Sequence, residues 1–111
     1  MKFLDPETEG AVRTFLSRIP PDRRIERAIL YGSRARGDSR PDSDADLALI
    51  VPDRDAVWEL VWLFGGLAFD VFMDTNILIQ PVVISLDDWL HPEQFMRPSF
   101  LRNVAREGIV L

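Results

Sequence analysis

Cysteine is absent from this chain, and histidine occurs once, at His91. Without thiols, neither a disulfide framework nor a thiolate metal site is available. A lone imidazole removes nearly every zinc geometry, so the metal chemistry left is a hard cation on carboxylates. Lysine is scarce too, with Lys2 alone beside twelve arginines. The net charge of −5 argues against the clustered cationic surface that general nucleic-acid binding requires. No stretch reads as the roughly 20 apolar residues of a membrane span. Residues 1–9 carry acids where a signal peptide has its apolar core. These absences lead us to expect a cytoplasmic protein that engages neither a membrane nor nucleic acid in general.

What is present suits one globular domain. A chain of 111 residues can build a real core but has no room for a second one, so residues 1–111 are read as a single domain. The apolar share of 47% argues against disorder. Val12, Phe15, Leu16 and Ile19 recur at helical spacing over residues 7–19, ahead of Pro20-Pro21. Strands are expected at 28–31, 45–51 and 77–84, with one helical turn beginning at Ser33. Pro81 marks the third strand as an edge or a bulge, because proline donates no ladder hydrogen bond. A closing helix over 98–107 should stop at Gly108.

Residues 53–73 predict a long helix with more apolar surface than one face needs. At about 100° per residue, Val57, Leu60, Val61, Phe64, Ala68, Val71 and Phe72 form the stripe expected to face the core. Trp58, Trp62, Phe69 and Met73 form a second stripe beside it. Together they cover roughly 220° of the wheel, against the roughly 100° that one buried face requires. Two placements fit: burial on two sides within the domain, or an interface with a partner. The enrichment of tryptophan, phenylalanine and methionine favours the interface.

The most informative run is Gly32-Ser33, ten intervening residues, then Asp44-Ala45-Asp46. A glycine-serine turn leaving an apolar run can present backbone N–H groups and a hydroxyl to phosphate oxygens. Two aspartates two apart at the head of a strand point to the same face. Mg²⁺ prefers such carboxylates in combination with substrate phosphates. Arg34 and Arg36 lie inside the loop, where guanidinium forks suit phosphate.

These residues resemble the signature of the DNA polymerase β-like nucleotidyltransferase superfamily, in its minimal nucleotidyltransferase (MNT) branch. Arg-Ala-Arg-Gly after the serine and Ser43 before the first aspartate resemble that branch as well. The resemblance covers residues 8–90. It implies an α/β (α+β) fold, a small mixed sheet with helices packed on it. It also implies Mg²⁺ as cofactor, with Asp44 and Asp46 as catalytic metal ligands and Gly32, Ser33, Arg34 and Arg36 around the nucleotide. The implied reaction moves a nucleoside monophosphate, AMP from ATP, to an acceptor hydroxyl. Many MNT proteins pair with a helical HEPN-domain protein as toxin and antitoxin, some by adenylylating a tyrosine on it. A HEPN-like protein or self-association is therefore the expected partner.

Members of the family carry a third carboxylate on the next strand, and here residues 76–85 contain no acid. Leu78 and Gln80 share a face and are the positions to inspect. Asp74 precedes the strand, and Asp87 and Asp88 follow it. The second reading is accordingly a nucleotide- or partner-binding antitoxin module in which transfer is weakened.

Overall fold

A computed structural model describes residues 5–111; residues 1–4, with Lys2 and the start of the segment read against a signal peptide, lie outside that range. Asp5 caps the first helix, accepting from the Thr8 backbone N–H at 2.9 Å, and Pro6 occupies its first turn. The order is α1 (Pro6–Ser17), β1 (Arg27–Tyr31), α2 (Ser33–Arg36), β2 (Ala45–Val51), α3 (Val57–Thr75), β3 (Ile79–Ser85), α4 (Leu86–Leu90), α5 (Pro98–Glu107) and β4 (Ile109–Val110). Short 3₁₀ turns at Arg54–Ala56 and Pro92–Gln94 lead into α3 and α5. Asn76, at φ 61, ends α3 in the left-handed conformation that asparagine tolerates at a helix end.

The sheet runs β3-β2-β1-β4. β1 is antiparallel to β2 and to β4, and β2 is parallel to β3, so α3 supplies the crossover that a parallel pair needs. This is the expected small mixed sheet, and Pro81 does sit on an edge strand. Alternation along the strands divides the core in two. Leu30, Leu47, Leu49 and Val51 face α1 and α3, where Phe15 and Phe64 meet edge-on at 6.0 Å. Ile29, Ala48, Ile50 and Ile84 face the other way, under Leu101 and Val104 of α5. By the same alternation Asp46, Tyr31 and Gln80 belong to the α5 side. There Ala48 and Ile50 are buried while Asp44 and Gln80 are exposed, so this face is covered at one end of β2 and open at the other.

Several sequence expectations change. Val61 and Phe72 are not core: they are 40% and 36% exposed, because the sheet contacts a narrower stripe through Leu60, Phe64, Ala68 and Val71. The expectation that no segment is long and apolar enough to span a membrane also fails. Arg54–Thr75 meets that test by length and composition, since its mean hydropathy of 1.6 tolerates the acids it contains. Helix α4 and strand β4 were not anticipated, both being too short to show a period.

Gly108 does end α5, but with φ −73 and ψ 156 rather than a left-handed cap. Its role is close approach: a Cβ there would lie 2.3 Å from Ile29 Cγ2 and 2.5 Å from the Val104 carbonyl oxygen. Gly10 of α1, by contrast, has nothing within 4 Å of its missing Cβ. Gly108→Ala is therefore expected to lower stability by about 1–3 kcal/mol through overpacking, whereas Gly10→Ala raises it by about 0.5–1 kcal/mol. Urea midpoints that move in the same direction for both variants would show this packing picture to be wrong.

Candidate active site

β1 ends at Tyr31, and the chain turns at Gly32 with φ 78 and ψ −159, a region open mainly to glycine. A side chain here would also displace the Asp46 carboxylate. A Cβ on Gly32 would fall 2.4 Å from Asp46 Oδ2. The Gly32 carbonyl then accepts from the Ala35 and Arg36 N–H groups at 3.1 and 3.0 Å, closing the single turn of α2. The Ser33 and Arg34 N–H groups open that turn and have no acceptor within it. Gly37, at φ 85, ends it, and the Ser33 carbonyl takes the N–H groups of Gly37 and Asp38.

Arg34, expected beside the nucleotide, is placed elsewhere. It is 5% exposed and donates through Nε to the Ser43 carbonyl at 2.8 Å, through one terminal nitrogen to Thr8 Oγ1 at 2.9 Å, and through the other to the Pro41 carbonyl at 3.2 Å. Thr8 Oγ1 in turn donates to Asp5 Oδ2 at 2.6 Å. The Thr8 hydroxyl, and then the Thr8 backbone N–H, hold the Asp5 carboxyl below the usual carboxylate range. Arg34 thus braces residues 41–43 against α1. The nucleotide reading is corrected because the guanidinium is spent on buried protein oxygens. Ser43 adds a second tie, its Oγ accepting from the Arg40 N–H at 2.8 Å.

The braced loop delivers Asp44 and Asp46 to the end of the sheet where Gly32 turns. Asp46 lies directly across from Tyr31 in the antiparallel register and from Gln80 in the parallel one. Gln80 donates through Nε2 to Asp44 Oδ2 at 3.1 Å. Of the two positions inspected for a third acid, Gln80 reaches the pair. Leu78 contributes its carbonyl to the Ala45 N–H at 2.8 Å and has no polar side-chain atom. Burial, followed by the charge of Asp44, raises the Asp46 carboxyl above its ordinary value, while Arg36 opposes the rise. Tyr31 is pushed up to about 12, by burial and then by Asp46.

The other acids do not join them. β3 runs parallel to β2, so its end at Ser85 lies beside Val51, roughly 17 Å along the strand from Gln80 at about 3.3 Å per residue. Asp87 and Asp88 follow that far end, where they hold Arg54 at 2.7 and 2.8 Å. Asp74 is ion-paired with Arg18. Arg36 remains half-exposed near Asp46, 3.2 Å from Asp38 and 3.9 Å from Glu107. His91 is an exposed helix end, with Nδ1 at 3.6 Å from Glu93.

The donor set fits Mg²⁺. Two crowded carboxylates offer hard oxygens, and neither forms an ion pair among the described residues. No cluster of three or more acids, histidines or cysteines occurs among those residues, so phosphate oxygens would complete the shell, as Mg²⁺ prefers. Sequence reasoning passed over Tyr31 and the Thr8–Arg34–Ser43 brace. Strand parity could have found Tyr31, which directly precedes Gly32; the brace joins distant positions and left no local signal.

Comparison with known proteins shows the family. The family model "Polymerase beta, Nucleotidyltransferase" matches residues 17–111. A protein of Methanocaldococcus jannaschii, provisionally named a protein adenylyltransferase, is 30% identical over 111 residues, covering 93% of this chain and 96% of its own length. A solved structure described as a toxin–antitoxin with AMP-PNP shares the fold, with a TM-score of 0.50 at 18% identity over 93% of this chain and 70% of that one.

The raised Asp46 carboxyl has a consequence for stability. The folded state holds this proton more tightly than the unfolded chain, so this group's contribution falls as pH rises from the ordinary carboxylate value through the raised one. Above that window the penalty is constant. In metal-free buffer at neutral pH, Asp46→Asn is expected to melt higher than the parent, with the difference vanishing toward pH 3. A lower melting temperature at neutral pH would show that the carboxylates do not oppose each other.

Proposed function

Because the chain belongs to the polymerase β nucleotidyltransferase family, as an MNT-type domain, we propose that it transfers AMP from ATP to an acceptor hydroxyl in a Mg²⁺-dependent reaction. The observation that carries this reading is the convergence of Gly32, Ser33, Asp44 and Asp46 on one open sheet end. Asp44 and Asp46 would hold Mg²⁺, which supplies charge neutralisation at the phosphates. The Ser33 hydroxyl and the first N–H groups of α2 are suited to terminal phosphate oxygens. Arg36, the motif arginine left half-exposed, adds positive charge beside them.

In the transfer itself an acceptor oxygen bonds to the α-phosphorus, the bond to pyrophosphate breaks, and the hydroxyl proton must leave. We assign the acceptor to a tyrosine of a HEPN-like helical protein, in a cytoplasmic toxin–antitoxin pair. The relative named a protein adenylyltransferase supports that acceptor class. General nucleic-acid binding is not part of the proposal, given the charge of −5.

A specific observation favours a second reading, a module that binds nucleotide or partner and transfers slowly. Gln80, one of the two positions inspected for a third carboxylate, donates to Asp44, and an amide takes no proton near neutral pH. Lost general-base help is worth about 10²–10⁴ in rate.

ATP labelled at its α-phosphate, Mg²⁺ and the helical partner separate the two. Gln80→Asp is expected to raise transfer by on the order of 10², and Asp44→Asn with Asp46→Asn to abolish both transfer and tight Mg²⁺-nucleotide binding. Calorimetry giving the double variant the parent's nucleotide affinity would remove the basis of both readings. Fast transfer by the unaltered protein, insensitive to Gln80→Asp, would discard the second.

A further inference from the structure

One face of α3 is unused by its own domain. Trp58 is 76% exposed, Trp62 81%, Phe69 60% and Met73 68%, while Leu60, Phe64, Ala68 and Val71 on the other side are buried. Gly65 and Gly66 are exposed within that face, with nothing within 4 Å of a Cβ built on either. The face is symmetric about the midpoint between the two glycines. Trp62 and Phe69 are equidistant from it, and so are Trp58 and Met73. At about 100° per residue, all four project within about 30° of the direction of that midpoint. A helix that meets its own image across a two-fold axis needs this pattern, because the same patch must complement itself.

We propose that a second copy of this chain covers the face. The two α3 helices cross antiparallel at Gly65–Gly66, setting Trp62 against the partner subunit's Phe69 and Trp58 against the partner subunit's Met73. The glycines, costly inside a helix, let the two backbones approach. With Val61 and Phe72 included, the exposed apolar side chains amount to roughly 700–800 Å², taking about 150–250 Å² for a large aromatic. A standard interface uses about 800 Å² per partner. Of the acids beside the stripe, Glu59 and Asp74 are ion-paired within the domain to Arg23 and Arg18, and exposed Asp70 stands at the margin, about 90° from the midpoint direction. A bilayer would also accept apolar surface, but it gives no reason for residues matched in pairs about two glycines. No residue of the carboxylate site lies on α3, so this dimer stands apart from the nucleotidyl-transfer reading.

Light scattering and sedimentation of the full chain test it. The parent should be a dimer at micromolar concentration. Gly66→Leu should weaken dimerisation at least tenfold while the dissociated monomer keeps its helical circular-dichroism spectrum, since the position is open and leucine is the better helix former. Trp62→Glu and Phe69→Arg should each be monomeric alone and form a heterodimer when mixed. In that pair one contact sets Glu against Arg and the other keeps Trp against Phe. A parent that stays monomeric, a dimer indifferent to Gly66→Leu, or folded charge variants that do not re-associate on mixing would overturn the proposal. So would flotation of the parent with phosphatidylcholine vesicles in place of dimerisation.

Discussion

The carboxylate of Asp46 occupies the space where any residue but glycine at position 32 would place its Cβ, and the rest of the site is arranged around that contact. The closeness follows from the register, since Tyr31, the last residue of β1, pairs with Asp46. The chain must leave β1 beside the carboxylate without touching it, which the positive φ of Gly32 accomplishes. One backbone turn therefore does several things at once. It starts α2 beside Asp46, and it packs close against that carboxylate. It also brings the carboxyl within electrostatic reach of Asp44 and Arg36. A site that binds a doubly charged cation benefits from carboxylates already crowded in its absence, because bringing them together is then part of folding rather than of binding.

Such crowding needs a rigid frame, and Arg34 supplies it. Its guanidinium joins β1's exit turn, the loop carbonyls of Pro41 and Ser43, and α1 through Thr8. The loop that follows the turn and a helix 26 residues before it are thus tied to one buried cation, whose oxygen partners carry dipoles rather than opposing charge. The motif's two nearby arginines consequently differ in kind. Arg34 is used up inside the protein, whereas Arg36 stays half-exposed near Asp46 with looser partners. Their spacing of two residues on a single helical turn is enough to send one inward and leave the other outside.

Local signals carried most of the architecture. β2 begins and ends where its apolar run does, Pro81 does lie on an edge strand, and α5 stops at Gly108. What could not be read was whatever depends on distant partners. Arg34 looks like a phosphate ligand because it follows Gly-Ser, and only the position of Thr8 on α1 shows otherwise. Val61 and Phe72 look like core because hydrophobicity reports a tendency to be buried, not the width of the sheet available to bury it. Gly108 was legible as a stop, but its cause, Ile29 packed against its Cα, belongs to a strand nearly eighty residues earlier.

Gln80 shows how the same geometry balances two demands. Its amide gives Asp44 a hydrogen bond at 3.1 Å and adds no charge to a pair that already repels. A carboxylate at that position would place a third negative group beside Asp44 and Asp46 on a partly buried sheet end. Metal-free, such a cluster would disfavour ionisation of its members further and weaken the fold at neutral pH. With glutamine, Asp44 gains a hydrogen-bond donor and the sheet end carries two carboxylates rather than three. A hydrogen-bond donor, which favours the metal-free fold, and a further carboxylate, which would add charge and oxygen ligands, therefore compete for position 80. In this chain the hydrogen-bond donor holds it.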